Sequence, residues 1–226
     1  MILQAAKNDS FWTSIDGVDM KRSVEEIANK PDAVIDFSHP SSIDKVIAYC
    51  TKNQLPLVIG TTGHDGIQLE LIEAASKEIP VLKTTNMSLG MNIVFSLVEQ
   101  VARILKDKVD IEVLESHHNR KKDAPSGSAI SIVEAIERGL GEVKKHQHGR
   151  AGECPREKGE IGIHAIRGGN IVGYHEANFI SDLETVKIVH EAHDRAVFAQ
   201  GAVEAAKYLV GKPMGLYNMK NVLGLD

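Results

Sequence analysis

Residues 32–63 read DAVIDFSHPSSIDKVIAYCTKNQLPLVIGTTG, and the changes of rhythm inside this stretch decide the fold. DAVIDFS (32–38) is rich in branched apolar residues, and His39-Pro40-Ser41-Ser42 ends it. Ile43, Val46, Ile47 and Cys50 then recur at helical spacing, with Ser41 or Ser42 as the cap. PLVIG (56–60) is a second apolar run, closed by Thr61-Thr62-Gly63. GIQLELIEAASKE (66–78) is helical again, and IPVLKTT (79–85) reads as a strand. Strand, loop and helix repeated at this spacing predict βαβ units around a parallel sheet. Runs such as VIDF and LVIG do not alternate, as expected of strands buried on both faces.

Open α/β sheets bind ligands beyond the carboxyl ends of their strands. Three loops occupy that rim: Ser38-His39-Pro40, Gly60-Thr61-Thr62-Gly63 and Thr84-Thr85-Asn86-Met87. Each is small, polar and rich in backbone N–H groups. Any one of them could be only a cap or turn, but three in register predict a binding rim.

The rhythm changes after Ser88. SLGMNIVFSLVEQVARILKDK predicts one long helix, with Val94, Val98, Val101 and Leu105 along a face. Residues 109–118, VDIEVLESHH, predict a strand ending at the histidines, and 126–140 a helix. Residues 141–159 are polar and Gly-rich and predict a loop. Further on, 161–181 and 184–193 are strand-rich, with Gly168-Gly169 as a hairpin turn. Longer strands with fewer helices predict a second, mostly antiparallel α+β domain. An Ala-rich helix over 196–210 follows.

Bulk properties narrow the function classes. The formal charge of −5 gives no reason to expect nucleic acid or an anionic membrane as partner. No apolar run approaches the ~18 residues of a membrane span. MILQAAKNDS has none of the features of a signal peptide, and Cys50 and Cys154 stand in no metal or redox spacing. A cytoplasmic protein is expected.

The chemistry concentrates in residues 117–128, HHNRKKDAPSGS. Pro125 suits the position before a helix and Ser126 is a good N-cap, so Gly127 and Ser128 would present backbone N–H groups at a positive helix end. That is an anion site, over which Arg120, Lys121 and Lys122 could close. His117 and His118 add protons, since an imidazole titrates near pH ~6.5. On a strand, adjacent side chains face opposite ways, so only one of the two histidines meets the site directly unless the strand has ended. A zinc centre that borrows His146 and His148 is the weaker reading, because lysines would repel the ion. A nucleophilic Ser126 is weaker still, as Pro-Ser-Gly lacks the flanking-glycine elbow.

These twelve residues closely resemble the signature of dihydrodipicolinate (4-hydroxy-tetrahydrodipicolinate) reductases, with Ser128 where threonine is usual. The likeness runs on from about residue 32 through IDFSHP (35–40), GTTG (60–63), NMSLGMN (86–92), IGIHAIRGGNIVGYHE (161–176) and GLYNM (215–219). The resemblance implies reduction of a cyclic dicarboxylate by NADH or NADPH in lysine and diaminopimelate biosynthesis. It implies His117 as proton donor with Lys121 as its acid partner, and His118, Ser126, Gly127 and Ser128 as substrate contacts. Cofactor contacts would be Ser38, Gly60, Thr61, Thr62, Thr84, Thr85, Asn86, Met87 and Arg195, with no metal. The family fold implies a Rossmann-like nucleotide-binding domain, 1–88 with 195–226. An inserted α+β domain, 89–194, would bind substrate and form a homotetramer.

The likeness fails at the N-terminus. Family members open with a strand and a Gly-rich loop that holds the cofactor pyrophosphate, whereas the first glycine here is Gly17 in SIDGVD, and MILQAAKN reads like the helix after that loop. An N-terminally incomplete nucleotide domain with weakened dinucleotide affinity is therefore expected. The competing expectation is a non-catalytic dicarboxylate-binding or assembly subunit.

Overall fold

A computed structural model describes residues 31–225. The helix expected in MILQAAKN, and with it the expectation of an N-terminally incomplete nucleotide domain, lies outside the described residues. The chain divides into two units, one formed by the described residues up to Leu89 and from Ala196 on, the other by Gly90–Arg195.

The first unit is a four-stranded parallel sheet. Its strands are β1 (Val34–Asp36), β2 (Leu57–Ile59), β3 (Pro80–Lys83) and β9 (Gly215–Tyr217), in the order β1-β2-β3-β9. Helices α1 (Ile43–Asn53) and α2 (Gly66–Ser76) connect the first three. Leu57, Ile59 and Val81 face these two helices in one apolar cluster with Ile43, Cys50 and Ile72. Val58 and Leu82 face the other way, onto Ala202, Ala205 and Leu209 of α5 (Ala196–Leu209). Burial on both faces is what VIDF and LVIG require. A Cβ at Gly201 would sit 1.7 Å from the Met87 carbonyl oxygen, so α5 approaches this close only because residue 201 has no side chain. The strand β9 and the short helix α6 (Met219–Leu223) extend the unit beyond what periodicity predicts.

The second unit is a five-stranded sheet with helices on one face. Its strands are β4 (Asp110–His117), β5 (His146–His148), β6 (Ile161–Arg167), β7 (Gly173–Ile180) and β8 (Thr185–Ala192), in the order β5-β6-β4-β7-β8. Helices α3 (Leu89–Leu105) and α4 (Gly127–Leu140) supply Val94, Val98, Ile132 and Ile136 to a core with Ile111, Val113, Ile161 and Phe179. Four expectations need correction. The sheet is mixed, because β4–β6 and β5–β6 are parallel while β4–β7 and β7–β8 are antiparallel. Residues 146–148, expected in a loop, pair with Ile161–Ile163 as an edge strand. Gly168-Gly169 does not turn a hairpin, since β4 lies between β6 and β7. The segment instead passes over the end of β4, where Gly168 N donates to His117 O and Asn119 N donates to Gly169 O. The long helix also stops earlier than expected, at Leu105, and Lys106 turns left-handed with φ 49° into a 3-10 turn.

Candidate active site

The site of the second unit grows from one face of β4. With a side-chain period of two, Ile111, Val113, Glu115 and His117 share the face turned to the helices. Ile111 and Val113 fill the core, whereas Glu115 and His117 lie one and two steps further on, where α4 begins. Glu115 is fully buried. It accepts hydrogen bonds from His117 Nδ1 at 2.5 Å, Ser126 N at 3.0 Å, and Arg167 at 2.8 and 2.9 Å, one to each carboxylate oxygen. Burial alone would raise this carboxyl group. The donors from His117, Arg167 and Ser126 outweigh it and hold the pKa at about 2.

Around this carboxylate the loop 118–126 is tied down at several points. Lys121 N donates to His118 O, the Lys121 ammonium lies 2.9 Å from Asp123, and Asp123 O accepts from Arg167 at 2.7 Å. Ser126 caps α4 by accepting from Ala129 N at 3.2 Å, and its Oγ lies 3.1 Å from His175 Nε2. Burial, then the nearby His117, pushes the His175 imidazole down to about 4, so it is neutral at neutral pH. Ser126 thus has its amide and hydroxyl engaged within the protein, and shapes the anion site from behind. Gly127 is exposed with open space where a Cβ would stand, which leaves its helix start approachable.

His118 lies just past the end of β4. Burial, followed by the charges of Arg120, His117, Lys121 and Arg195, lowers its imidazole. Arg195, assigned by resemblance to the cofactor, is therefore electrostatically part of this basic cluster. His146 and His148 sit two strands from β4, level with Ile111 and Val113, at the far end from His117. Among the described residues no His, Cys, Asp and Glu group is placed to hold a metal.

The rim of the parallel sheet is built differently. A recess of about 450 Å³ is lined by Phe37, Ser38, His39, Pro40, Gly60, Thr61 and Thr62. Buried Asp36 organises it: its Oδ1 accepts from Ser38 N at 3.2 Å and from Ser38 Oγ. Ser38 N also donates to Thr61 Oγ1 at 2.9 Å, which links the loops after β1 and β2. A Cβ at Gly60 would come within 2.3 Å of the Phe37 ring. Thr84 Oγ1 and Asn86 Oδ1 fold the third loop by bonding Asn86 N and Ser88 N. Met87 is a core residue under α5, so only its backbone belongs to the rim; Thr85, two residues before it, is exposed. Small residues, a glycine that bars a side chain and an open recess leave room for a cofactor held through backbone groups.

Sequence reasoning did not single out Glu115, Arg167 or His175. Glu115 had a signal, as an acid two residues before His117 on a strand shares its face. Arg167 and His175 become legible only through strand register, opposite His117 and Glu115.

Together these features define a class, a two-unit α/β enzyme with a nucleotide-type parallel sheet in one unit and a histidine-bearing basic site in the other. Residues 5–87 match the family described as Dihydrodipicolinate reductase, N-terminus, and residues 90–223 match Dihydrodipicolinate reductase, C-terminus. The chain is 66% identical over 225 residues to the 4-hydroxy-tetrahydrodipicolinate reductase of Alkaliphilus metalliredigens (strain QYMF), covering 100% of this chain and 94% of the relative. The enzyme of that name from Clostridium tetani is 47% identical over 192 residues, covering 85% and 75%. The solved structure of a dipicolinate-bound dihydrodipicolinate reductase from Paenisporosarcina sp. TG-14 shares the fold. It has a TM-score of 0.68 at 21% identity, covering 96% of this chain and 91% of that one. This chain belongs to the dihydrodipicolinate reductase family.

Proposed function

We propose that the chain reduces 4-hydroxy-tetrahydrodipicolinate to tetrahydrodipicolinate in lysine and diaminopimelate biosynthesis, with His117 as proton donor. NADH or NADPH, when bound, supplies the hydride. Ser38, Gly60, Thr61, Thr62 and the backbone of 84–87 would hold it. Between substrate and product the ring gains a hydride and a proton and loses one water. The proton comes from His117 Nε2, because Nδ1 is committed to Glu115. Lys121, His118 and the helix start at Gly127-Ser128 hold the carboxylates, two negative groups that call for separate positive partners. The observation that carries the reading is this pairing of a carboxylate-oriented histidine with a cationic helix start in one twelve-residue segment.

The unit of Gly90–Arg195 is the substrate and oligomerisation domain in this reading, and the rest of the chain binds the nucleotide. Ile166 and Val189 stand exposed on the sheet face away from the helices, which supports assembly through that face into a homotetramer. A cytoplasmic location accords with Cys50 and Cys154 both being free thiols, and among the described residues no helix is long and apolar enough to cross a membrane. The test is oxidation of NADH and of NADPH by this chain with freshly generated substrate. Turnover with either supports the proposal. No turnover with both, while dipicolinate still binds, would make the chain a dicarboxylate-binding subunit instead.

A further inference from the structure

We infer that Glu115, clamped by Arg167, is the positioning residue that fixes which nitrogen of His117 can deliver the proton; this rests on the proposed reductase function. A fully buried carboxylate is costly unless every lone pair is matched. Glu115 meets that demand with four donors: both arms of Arg167, the Ser126 amide and His117 Nδ1. Arg167 is in turn held by Ile166 O and Asp123 O. The carboxylate therefore cannot turn away from the imidazole without giving up both hydrogen bonds from the half-buried Arg167 guanidinium and leaving the buried Ser126 amide unpaired. It accepts only, so His117 Nδ1 must carry a hydrogen.

The transferable proton is thereby restricted to Nε2. That atom lies on the side of Gly173, where even a Cβ would stop 3.4 Å away. When the proton leaves, the Nε2–H bond breaks, the ring keeps Nδ1–H toward Glu115, and the carboxylate stays ionised. The same carboxylate holds the amide of the α4 cap. One group therefore sets the donor nitrogen and locates the anion-binding helix start relative to it. Arg167 keeps that group charged and still, and neither residue needs to touch substrate.

The experiment is ¹⁵N spectroscopy of the His117 ring at alkaline pH, without substrate, in wild type and in Glu115→Gln, beside steady-state kinetics of both. The carbonyl oxygen of the substituted side chain can still accept from Ser126 N, so KM for substrate is expected within ~2-fold. An amide can donate to or accept from Nδ1, so the wild-type Nδ1–H tautomer should become a mixture. kcat should fall ~10²-fold or more, as when an orienting carboxylate of a catalytic histidine becomes an amide. An unmoved tautomer, or an unchanged kcat in an active enzyme, overturns the inference. If Glu115→Gln does not fold, Arg167→Lys serves in its place: it keeps a cation but loses the two-pronged hold, and the same readings decide. The ring spectrum needs no activity, so an inactive wild type with a shifted tautomer would sink the reductase reading alone.

Discussion

The rim of the parallel sheet and the loop after β4 both receive ligands in this reading, yet they are built on opposite principles. The rim uses what is absent. Gly60 has no side chain to meet Phe37, Ser38 and Thr61 are short, and Ser38 ties the loops together, bonded to the buried Asp36 carboxylate on one side and to Thr61 Oγ1 on the other. The β4 loop uses what is charged: Glu115, Arg167, Lys121 and Asp123 interlock around His117, the proposed proton donor. A large dinucleotide cofactor needs room and backbone donors. A small dicarboxylate needs fixed countercharge, and a proton donor must point one way.

Four changes test that contrast. The largest effect is expected from His117→Ala, which should lower kcat by ~10²- to 10⁴-fold, the usual worth of a placed acid, with substrate KM little changed. An unchanged rate would remove His117 as donor. Lys121→Ala should weaken both turnover and dipicolinate binding by ~10- to 100-fold, the scale of a charge-assisted hydrogen bond. Calorimetric titration that shows wild-type affinity would break the argument from countercharge.

Gly60→Ala should act on the rim alone. The added Cβ would displace the Phe37 ring, but that residue is 40% exposed and can swing aside. Coenzyme KM should therefore rise only up to ~10-fold, with dipicolinate affinity unchanged. A matching loss of dipicolinate binding would mean that the two regions are not independent.

The smallest effect concerns acid stability. His175 has its pKa depressed to about 4 by burial, so its contribution is present above the usual histidine value and is lost as pH falls from about 6.5 to about 4. Glu115, depressed from 4.5 to about 2, loses its contribution as pH falls through that lower window. Thermal melts of His175→Asn against wild type should converge by a few degrees across the upper window and run parallel in the lower one. A constant gap from pH 7 to 4 would show that His175 does not titrate with folding.

The legibility of the sequence follows the same divide. The rim could be read almost entirely, because β1, β2, β3 and their helices are local patterns and their loops fall at known ends. The capped helix start was readable for the same reason, and the proposed donor His117 could be singled out beside it, since 117–128 is contiguous. The orienting shell was not. Arg167 is fifty-two positions from Glu115 in sequence, and its role depends on β6 pairing with β4 in one register. The hairpin expected at Gly168-Gly169 failed on the same point: two glycines after a strand signal a turn, but which strands they join is decided by the pairing of β4 between β6 and β7. The strand at 146–148 escaped because three polar residues pair as an edge through backbone alone.

The place of β4 in its sheet has one more consequence. It is the middle strand of five, bonded along its length to β6 on one side and β7 on the other, while β5 and β8 form the borders. Backbone amides at the borders open to solvent by local fraying; those of a central strand open only when the whole unit does. His117, the proposed proton donor, thus sits at the end of the strand expected to melt last. On heating, deuterium should enter β5 and β8 well before β4, and enzymatic rate should persist until the central strand is lost.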